Sequence, residues 1–149
     1  RGRAGADGTP HDLAQGMLLT PFPPLLNFVL ARHLVALGRR QQALPLFAEA
    51  VNLAPDAGMA RFQYGLVLGR EGRAAEAMEQ FGEAVRLMPE MLEARLNLGF
   101  ALMNANRPGE ALGQFELVLQ QSPTNQAALR ASNNLRSKPA TVSSHSSSP

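Results

Sequence analysis

Residues 58–91 read GMARFQYGLVLGREGRAAEAMEQFGEAVRLMPEM, and their pattern recurs before and after this stretch at a constant repeat interval. Six columns keep that interval of 34 positions over three copies: Pro55, Pro89 and Pro123; Phe47, Phe81 and Phe115; Ala43, Ala77 and Ala111; Leu34, Leu68 and Leu102; Ala31, Gly65 and Gly99; and Gly38, Gly72 and Asn106. Such an interval is typical of a helix–turn–helix repeat array. The sequence therefore predicts an all-α solenoid in which each copy is one pair of helices.

Apolar residues recur at three- and four-residue spacing within each copy, and they predict two helices per copy. The predicted spans are 24–37 and 41–53, 58–71 and 74–87, and 92–105 and 108–121. Gly38 and Gly72 stand where the first helix of a copy must end, a position that favours positive φ, and Asn106 is the residue that tolerates it next best. Pro45 lies about one turn into its helix and is predicted to shift the start of that helix.

The repeat pattern extends beyond the three full copies. The residues that stand one repeat interval before Phe47, Ala50, Leu53 and Pro55 are Leu13, Gly16, Leu19 and Pro21. Residues 11–21 are therefore predicted to be a degenerate half repeat with a helix at 12–20. The predicted solenoid covers 22–136, with repeats at 24–57, 58–91 and 92–125 and a capping helix at 126–136. Gly-rich residues 1–10 predict a linker, and Ser-rich residues 137–149 predict a disordered tail.

The composition suits a single globular domain of 149 residues, with 45% hydrophobic residues and a net charge of +2. Thirteen of the fourteen basic residues are arginines, and they are scattered along the chain. Because nucleic-acid binding needs clustered positive charge, no nucleic-acid partner is predicted. The absence of cysteine excludes a disulfide framework and a thiolate metal site.

The most apolar stretch, residues 17–37, is broken by Pro21, Pro23 and Pro24 and predicts no membrane span. Residues 1–9 lack the apolar core of a signal peptide. The chain does not begin with Met, which predicts an internal or C-terminal piece of a longer protein. Frequent Ala and Arg with a single Lys suggest a bacterial source with a GC-rich genome.

The repeated columns resemble the tetratricopeptide repeat (TPR), whose consensus has Leu-Gly, an aromatic residue, Ala, Phe, Ala and a closing Pro. The second copy carries Tyr64, Gly65, Leu68, Gly72, Ala77, Phe81, Ala84 and Pro89. This resemblance implies a right-handed α-solenoid of about three repeats, with a preceding half-repeat helix and a C-terminal capping helix. The small residues would let the two helices of a repeat approach closely, and the phenylalanines would fill the gap between neighbouring repeats.

The resemblance also implies that the first helix of each repeat lines an inner wall through its second, fifth, ninth and twelfth places. The candidate groove residues are Leu25, Phe28, Arg32, Val35, Met59, Phe62, Leu66, Leu96, Phe100 and Met103. Most are apolar, and they are either core or an exposed trough for an apolar or amphipathic peptide or helix. A third hypothesis is self-association, with the trough occupied by the helix at 12–20 or by a second copy of the protein.

Two ligand types of similar arrays find little support. Co-chaperone arrays hold a terminal carboxylate with Lys, Asn and Arg, whereas the matching places here include Glu93 and contain no Lys. Glu93 would repel a carboxylate. Sugar-transferase arrays use an asparagine ladder, and Val29, Gln63 and Asn97 provide at most half of one.

No set of residues predicts catalysis. The three histidines, His11, His33 and His145, are too far apart in the sequence to suggest a metal site. The three aspartates, Asp7, Asp12 and Asp56, lie in predicted loops or near the ends of the chain, so no Ser-His-Asp set is predicted. We therefore predict no catalytic, cofactor or metal site. The leading hypothesis is a non-catalytic module that binds a protein or peptide. The alternative is a C-terminal appendage that positions a larger enzyme, such as a bacterial membrane glycosyltransferase, or recruits its substrate.

Overall fold

The chain folds into stacked pairs of helices, as described by a computed structural model for residues 23–138. Within this range there are seven helices and no strand: α1 (Pro24–Ala36), α2 (Arg40–Leu53), α3 (Gly58–Arg70), α4 (Ala74–Leu87), α5 (Leu92–Asn104), α6 (Pro108–Gln121) and α7 (Gln126–Ser137). Each bound lies within one residue of the predicted span, so the all-α fold is confirmed. The predicted linker, the predicted half repeat and residues 139–149 of the predicted tail lie outside the described residues.

Each helix packs against the next one along the chain, which makes an array of helix pairs. We call α1, α3 and α5 the A helices, and α2, α4 and α6 the B helices. The buried side chains lie between A and B helices in two clusters, one around Phe47, Phe62 and Phe81 and the other around Phe115. Helix α7 covers the last pair, because Ala128 and Ala131 join the second cluster.

The A helices all end in the same local geometry. Gly38, Gly72 and Asn106 have φ values of 75°, 78° and 58°. After the first A helix, the N–H of Arg39 donates to the carbonyl of Leu34 at 2.8 Å, and the same bond recurs after the other two. This pairing needs a left-handed residue and satisfies carbonyls that the helix end leaves open. The prediction of positive φ at these three turns is confirmed.

Pro45 does not shift the start of α2, contrary to the sequence-based expectation. The helix begins at Arg40 and runs through Pro45 to Leu53. A proline at this place removes only one N–H bond, to a carbonyl in the first turn of the helix. Both Gln41, which carries that carbonyl, and Pro45 are exposed. The lost bond is therefore close to solvent, and α2 tolerates it.

The glycine columns make room for phenylalanine rings. A Cβ atom on Gly65 would lie 2.7 Å from the ring of Phe81, and one on Gly99 would lie 2.6 Å from the ring of Phe115. These two phenylalanines of B helices thus pack directly on the A helix of their own repeat. Phe47, in contrast, contacts the next repeat, because its ring stacks on Tyr64 of α3 with centroids 6.2 Å apart. In the second and third repeats the small and aromatic columns work together, since the phenylalanine ring occupies the space that a side chain on the glycine would need.

An arginine side chain forms hydrogen bonds with the turn that joins neighbouring repeats. The Nε of Arg61 donates to the carbonyl of Pro55 at 2.8 Å, and one of its terminal nitrogens donates to Gln80 on α4 at 3.1 Å. Arg95 repeats the first contact in the next copy, on the carbonyl of Pro89 at 2.9 Å. These arginine contacts were not predicted, although Arg61 and Arg95 are one repeat interval apart in the sequence.

Gly72→Ala is expected to destabilise the protein by about 1–2 kcal/mol, because an alanine at φ of 78° pays the left-handed penalty. Gly82→Ala is the matched control, because Gly82 lies inside α4 and a Cβ there meets no atom within 4 Å. This control substitution is expected to raise the free energy of unfolding by about 0.5–1 kcal/mol. Urea denaturation measures both changes, and equal effects at the two positions would contradict the cap geometry.

Candidate functional site

The ten candidate groove residues on the A helices differ widely in exposure. Leu25 is 70% exposed and Phe100 is 40% exposed, whereas Phe62 is only 2% exposed. Met59 and Arg32 are also exposed, and the half-buried members are Phe28, Val35, Leu66, Leu96 and Met103. The candidate surface is therefore divided between core and solvent along its length.

Phe62 does not line an open trough, so of the two interpretations of the candidate groove residues, core and exposed surface, Phe62 fits the core. Its ring reaches toward the B helix of its own repeat, where the centroid lies 6.0 Å from that of Phe81. Because Phe81 itself sits on Gly65, the two rings fill the same part of the core. Phe62 belongs to the packing of the second repeat.

An apolar pocket of about 310 Å³ opens between the first two A helices. We define this apolar pocket by its lining residues, which are Pro24, Leu25, Phe28, Ala50, Ala54, Ala57, Met59 and Ala60. Three of them, Leu25, Phe28 and Met59, are candidate groove residues from the sequence. Half of the lining residues are alanines, which come from the end of α2, the following turn and the start of α3, and alanine side chains are too short to fill the pocket.

A second pocket of about 350 Å³ opens between α3 and α5, and its lining is mixed. We call it the mixed pocket, and it is lined by Leu66, Gly69, Arg70, Ala74, Ala77, Phe81, Asn97, Phe100, Ala101 and Asn104. Leu66 and Phe100 are candidate groove residues. The polar side chains are Arg70, Asn97 and Asn104, and Asn97 is oriented by an Nδ2 bond to the carbonyl of Glu93 at 2.8 Å.

Arg70 and Asn104 line the mixed pocket but are not among the candidate groove residues predicted from the sequence. Both occupy the thirteenth place of their repeats, next to the twelfth place that the candidate stripe includes. In the first repeat this column holds Ala36. The change from alanine in the first repeat to Arg70 and Asn104 in the next two is the sequence feature that could have indicated these residues. It agrees with the position of the mixed pocket, which lies between the second and third A helices.

Arg70 at the mixed pocket is available to bind a negatively charged group of a ligand. Within residues 23–138, the Arg70 side chain has no hydrogen bond or ion pair. The neighbouring carboxylate, Glu71, turns away and pairs with Nε of Arg40 on α2 at 2.7 Å. The hydrogen bond from Arg40 holds the pKa of Glu71 below its ordinary value. Glu71 therefore has its cationic partner in Arg40.

Beside the apolar pocket, the guanidinium carbon of Arg32 lies 5.6 Å from the centre of the Phe28 ring. This distance is within the range of a cation–π contact with a residue that lines the apolar pocket, although Arg32 itself does not line it. The mixed pocket combines apolar contact with hydrogen-bond donors and a positive charge. Among residues 23–138, no group of His, Cys, Asp and Glu could hold a metal ion. Over the same residues, no helix is long and apolar enough to cross a bilayer.

Stacked helix pairs at a constant repeat interval define the class of α-solenoid repeat proteins. Two family models, both described as Tetratricopeptide repeat, match residues 28–87 and 70–132. The chain belongs to the tetratricopeptide repeat family. No curated protein sequence matches it significantly.

Solved structures of TPR proteins share this fold. YrrB, described as "a TPR protein with an unusual peptide-binding site", is 27% identical, with a TM-score of 0.68 over 83% of this chain. This chain spans 63% of the YrrB chain. The second TPR domain of human RPAP3, solved with an HSP70 peptide, is 17% identical, with a TM-score of 0.68 over 77% of this chain and 99% of its own. The first TPR of Spaghetti (RPAP3), bound to an HSP90 peptide, is 18% identical, with a TM-score of 0.69 over 76% and 90%.

Proposed function

We propose that this chain is a peptide-binding module whose ligand lies along the A helices and enters the apolar and mixed pockets. The observation that carries the proposal is the pair of open pockets between successive A helices, of about 310 and 350 Å³. Pockets of this size can each accept a side chain of a bound peptide, and concave pockets with a few polar groups are the usual form of a binding site.

The lining indicates the chemistry of the ligand. The apolar pocket has only aliphatic, aromatic and thioether groups, so it suits a large hydrophobic side chain. Met59 is exposed and flexible, and it can adapt to side chains of different shape.

The mixed pocket suits polar parts of the same ligand. The amides of Asn97 and Asn104 both donate and accept hydrogen bonds, which matches a peptide backbone. A helical ligand already pairs its own backbone groups, so an extended segment benefits more from these amides. Arg70, which has no partner in the described part of the chain, suits a carboxylate of the ligand.

Similar structures support peptide binding as the general activity. YrrB carries a peptide-binding site according to its description, and the two RPAP3 domains were solved with chaperone peptides. Glu93 is exposed on the A-helix face of this chain, so we do not extend chaperone-tail binding to it. The enzyme-appendage alternative and self-association remain predictions, which no contact among residues 23–138 favours.

Binding is tested with peptides selected from a random library on the full chain. Phe100→Gln and Arg70→Ala are each expected to raise the Kd of selected peptides about 30-fold, since hot-spot truncation costs about 2 kcal/mol or more. Fluorescence anisotropy measures the Kd.

Leu117→Gln is the matched control, because Leu117 is also an exposed large hydrophobic residue but lies on a B helix outside both pockets. It is expected to leave the Kd unchanged. Failure to select any peptide would contradict the proposal, as would equal weakening by Leu117→Gln and Phe100→Gln.

A further inference from the structure

Helix α1 exposes an apolar surface that the other A helices do not. Its large apolar side chains Leu26, Val29 and Leu30, and Leu37 just after the helix, are between 40% and 57% exposed. Val29 and Leu30 stand three and four residues after Leu26, and Leu37 stands seven residues after Leu30, so all four share one side of the helix. We call this surface the N-terminal face. It is separate from the apolar pocket, which none of these four residues lines.

The equivalent side of the next A helix is covered by the preceding B helix. One repeat interval after Leu26 and Leu30 stand Ala60 and Tyr64, and both are buried. Phe47 of α2 stacks on Tyr64, with ring centroids 6.2 Å apart. Leu98, the third residue of this column, is half-buried and packs against the core. A residue in the Leu30 column is therefore at least half-buried when a B helix precedes it. Residues 23–138 contain no B helix before α1.

The other end of the array is closed. Helix α7 buries Ala128 and Ala131 against the last pair, while other side chains of the helix, including Arg130 and Asn133, are exposed and polar. Solenoids need such a cap, since an open end exposes the apolar side that would contact the next repeat. The N-terminal face is an open end of this kind, and contiguous exposed apolar surface marks a contact site.

We propose that residues 11–21 of this same chain cover the N-terminal face, packing on α1 as the B helix of a preceding half repeat. In the register of the repeats, Leu13 takes the place of Phe47, and Gly16 takes the place of Ala50. Leu13 would then contact Leu30 in the way that Phe47 contacts Tyr64. This surface is distinct from the peptide-binding surface proposed above.

The connection to α1 has the length that the proposal needs. Helix α1 starts at Pro24 and α3 starts at Gly58, one repeat interval apart. Pro21 stands the same interval before Pro55, which lies in the turn between α2 and α3. A helix that ends at residues 19 or 20 would thus meet α1 through a turn of the same length as the one that joins the first two described repeats.

A thiol-protection experiment on the full chain tests this occupant, because the sequence contains no cysteine. Leu30→Cys is expected to react with a maleimide at least 10-fold more slowly than Leu25→Cys, which carries its thiol on the most exposed apolar position of α1. Adding Leu13→Ala to Leu30→Cys is expected to remove this protection. Adding Leu18→Ala is the matched control, because Leu18 stands in the column of Asn52, Arg86 and Gln120, all exposed.

Two results would overturn the proposal. The first is a Leu30→Cys thiol that reacts as fast as the Leu25→Cys thiol, or whose protection Leu13→Ala leaves intact. The second is protection that disappears on dilution together with a dimer in analytical ultracentrifugation, which would mean that a second copy covers the face. Thermal denaturation adds a check without cysteine: Leu13→Ala is expected to lower Tm by about 4 °C or more, and Leu18→Ala by less than about 1 °C.

Discussion

Phe81→Ala is expected to lower the free energy of unfolding by about 3–5 kcal/mol, the usual cost of truncating a buried phenylalanine. Its ring is buried, lies over Gly65, and packs against Phe62 with centroids 6.0 Å apart. Glycine offers no side chain that could move into the vacated space. The cavity would therefore persist, and the loss is expected near the upper end of that range.

Urea denaturation of the full chain measures this effect. Phe100→Ala is the control, because Phe100 is also aromatic but 40% exposed, and it is expected to cost less than half as much. In a repeat array, the contacts between neighbours couple the repeats. A broader, non-two-state transition in Phe81→Ala would show that the second repeat has become uncoupled. Similar losses for the two variants would contradict the packing described here.

Phe62→Gln is expected to destabilise the protein by about 3–5 kcal/mol, although the sequence alone makes Phe62 a candidate for ligand binding. The substitution removes the burial of a large apolar side chain, which contributes about 1.5–3 kcal/mol. It also buries an amide with no partner, at a further cost of about 1–3 kcal/mol. Phe62 is 2% exposed, so the amide could not reach solvent without a rearrangement of the helix.

Phe100→Gln serves as the comparison, and it is expected to cost only about 1–2 kcal/mol, because Phe100 is 40% exposed and the new amide can point into water. The remaining cost is the lost contact with the Phe115 ring, whose centroid lies 5.2 Å from that of Phe100. The two variants are compared by urea denaturation and by far-ultraviolet circular dichroism at the same temperature. A stable Phe62→Gln variant would mean that Phe62 is accessible and would restore it to the binding surface. The difference between these variants also decides which residue can be used to test peptide binding without unfolding the protein.

The helix bounds could be predicted because they depend on local features. The left-handed turn at Gly38, Gly72 and Asn106 requires particular residues at particular positions, and the repeat interval shows all three at once. Pro45 was the exception. A proline lowers the preference for a helix around it, but packing of Leu44 and Phe47 in the core keeps α2 helical from Arg40 onward.

The candidate site was predicted less completely than the fold. Periodicity placed Leu25, Phe28 and Met59 on one stripe, and the three residues do line one pocket. It did not identify Arg70 or Asn104, which line the mixed pocket from the next column along the helix. A stripe is a line along a single helix, whereas a pocket is formed between two helices and takes residues from both sides of that line.

The sequence by itself determined the class of fold, the length of each helix and the family of this protein. The reason is that caps, turns and the repeat interval act over a few residues and recur in every copy. Only the tertiary structure decided that Phe62 is core while Phe100 is exposed, and that Arg70 has no partner beside the mixed pocket within the described residues. Burial and charge pairing depend on which neighbouring helices come within contact distance, and helical periodicity carries no information about those distances.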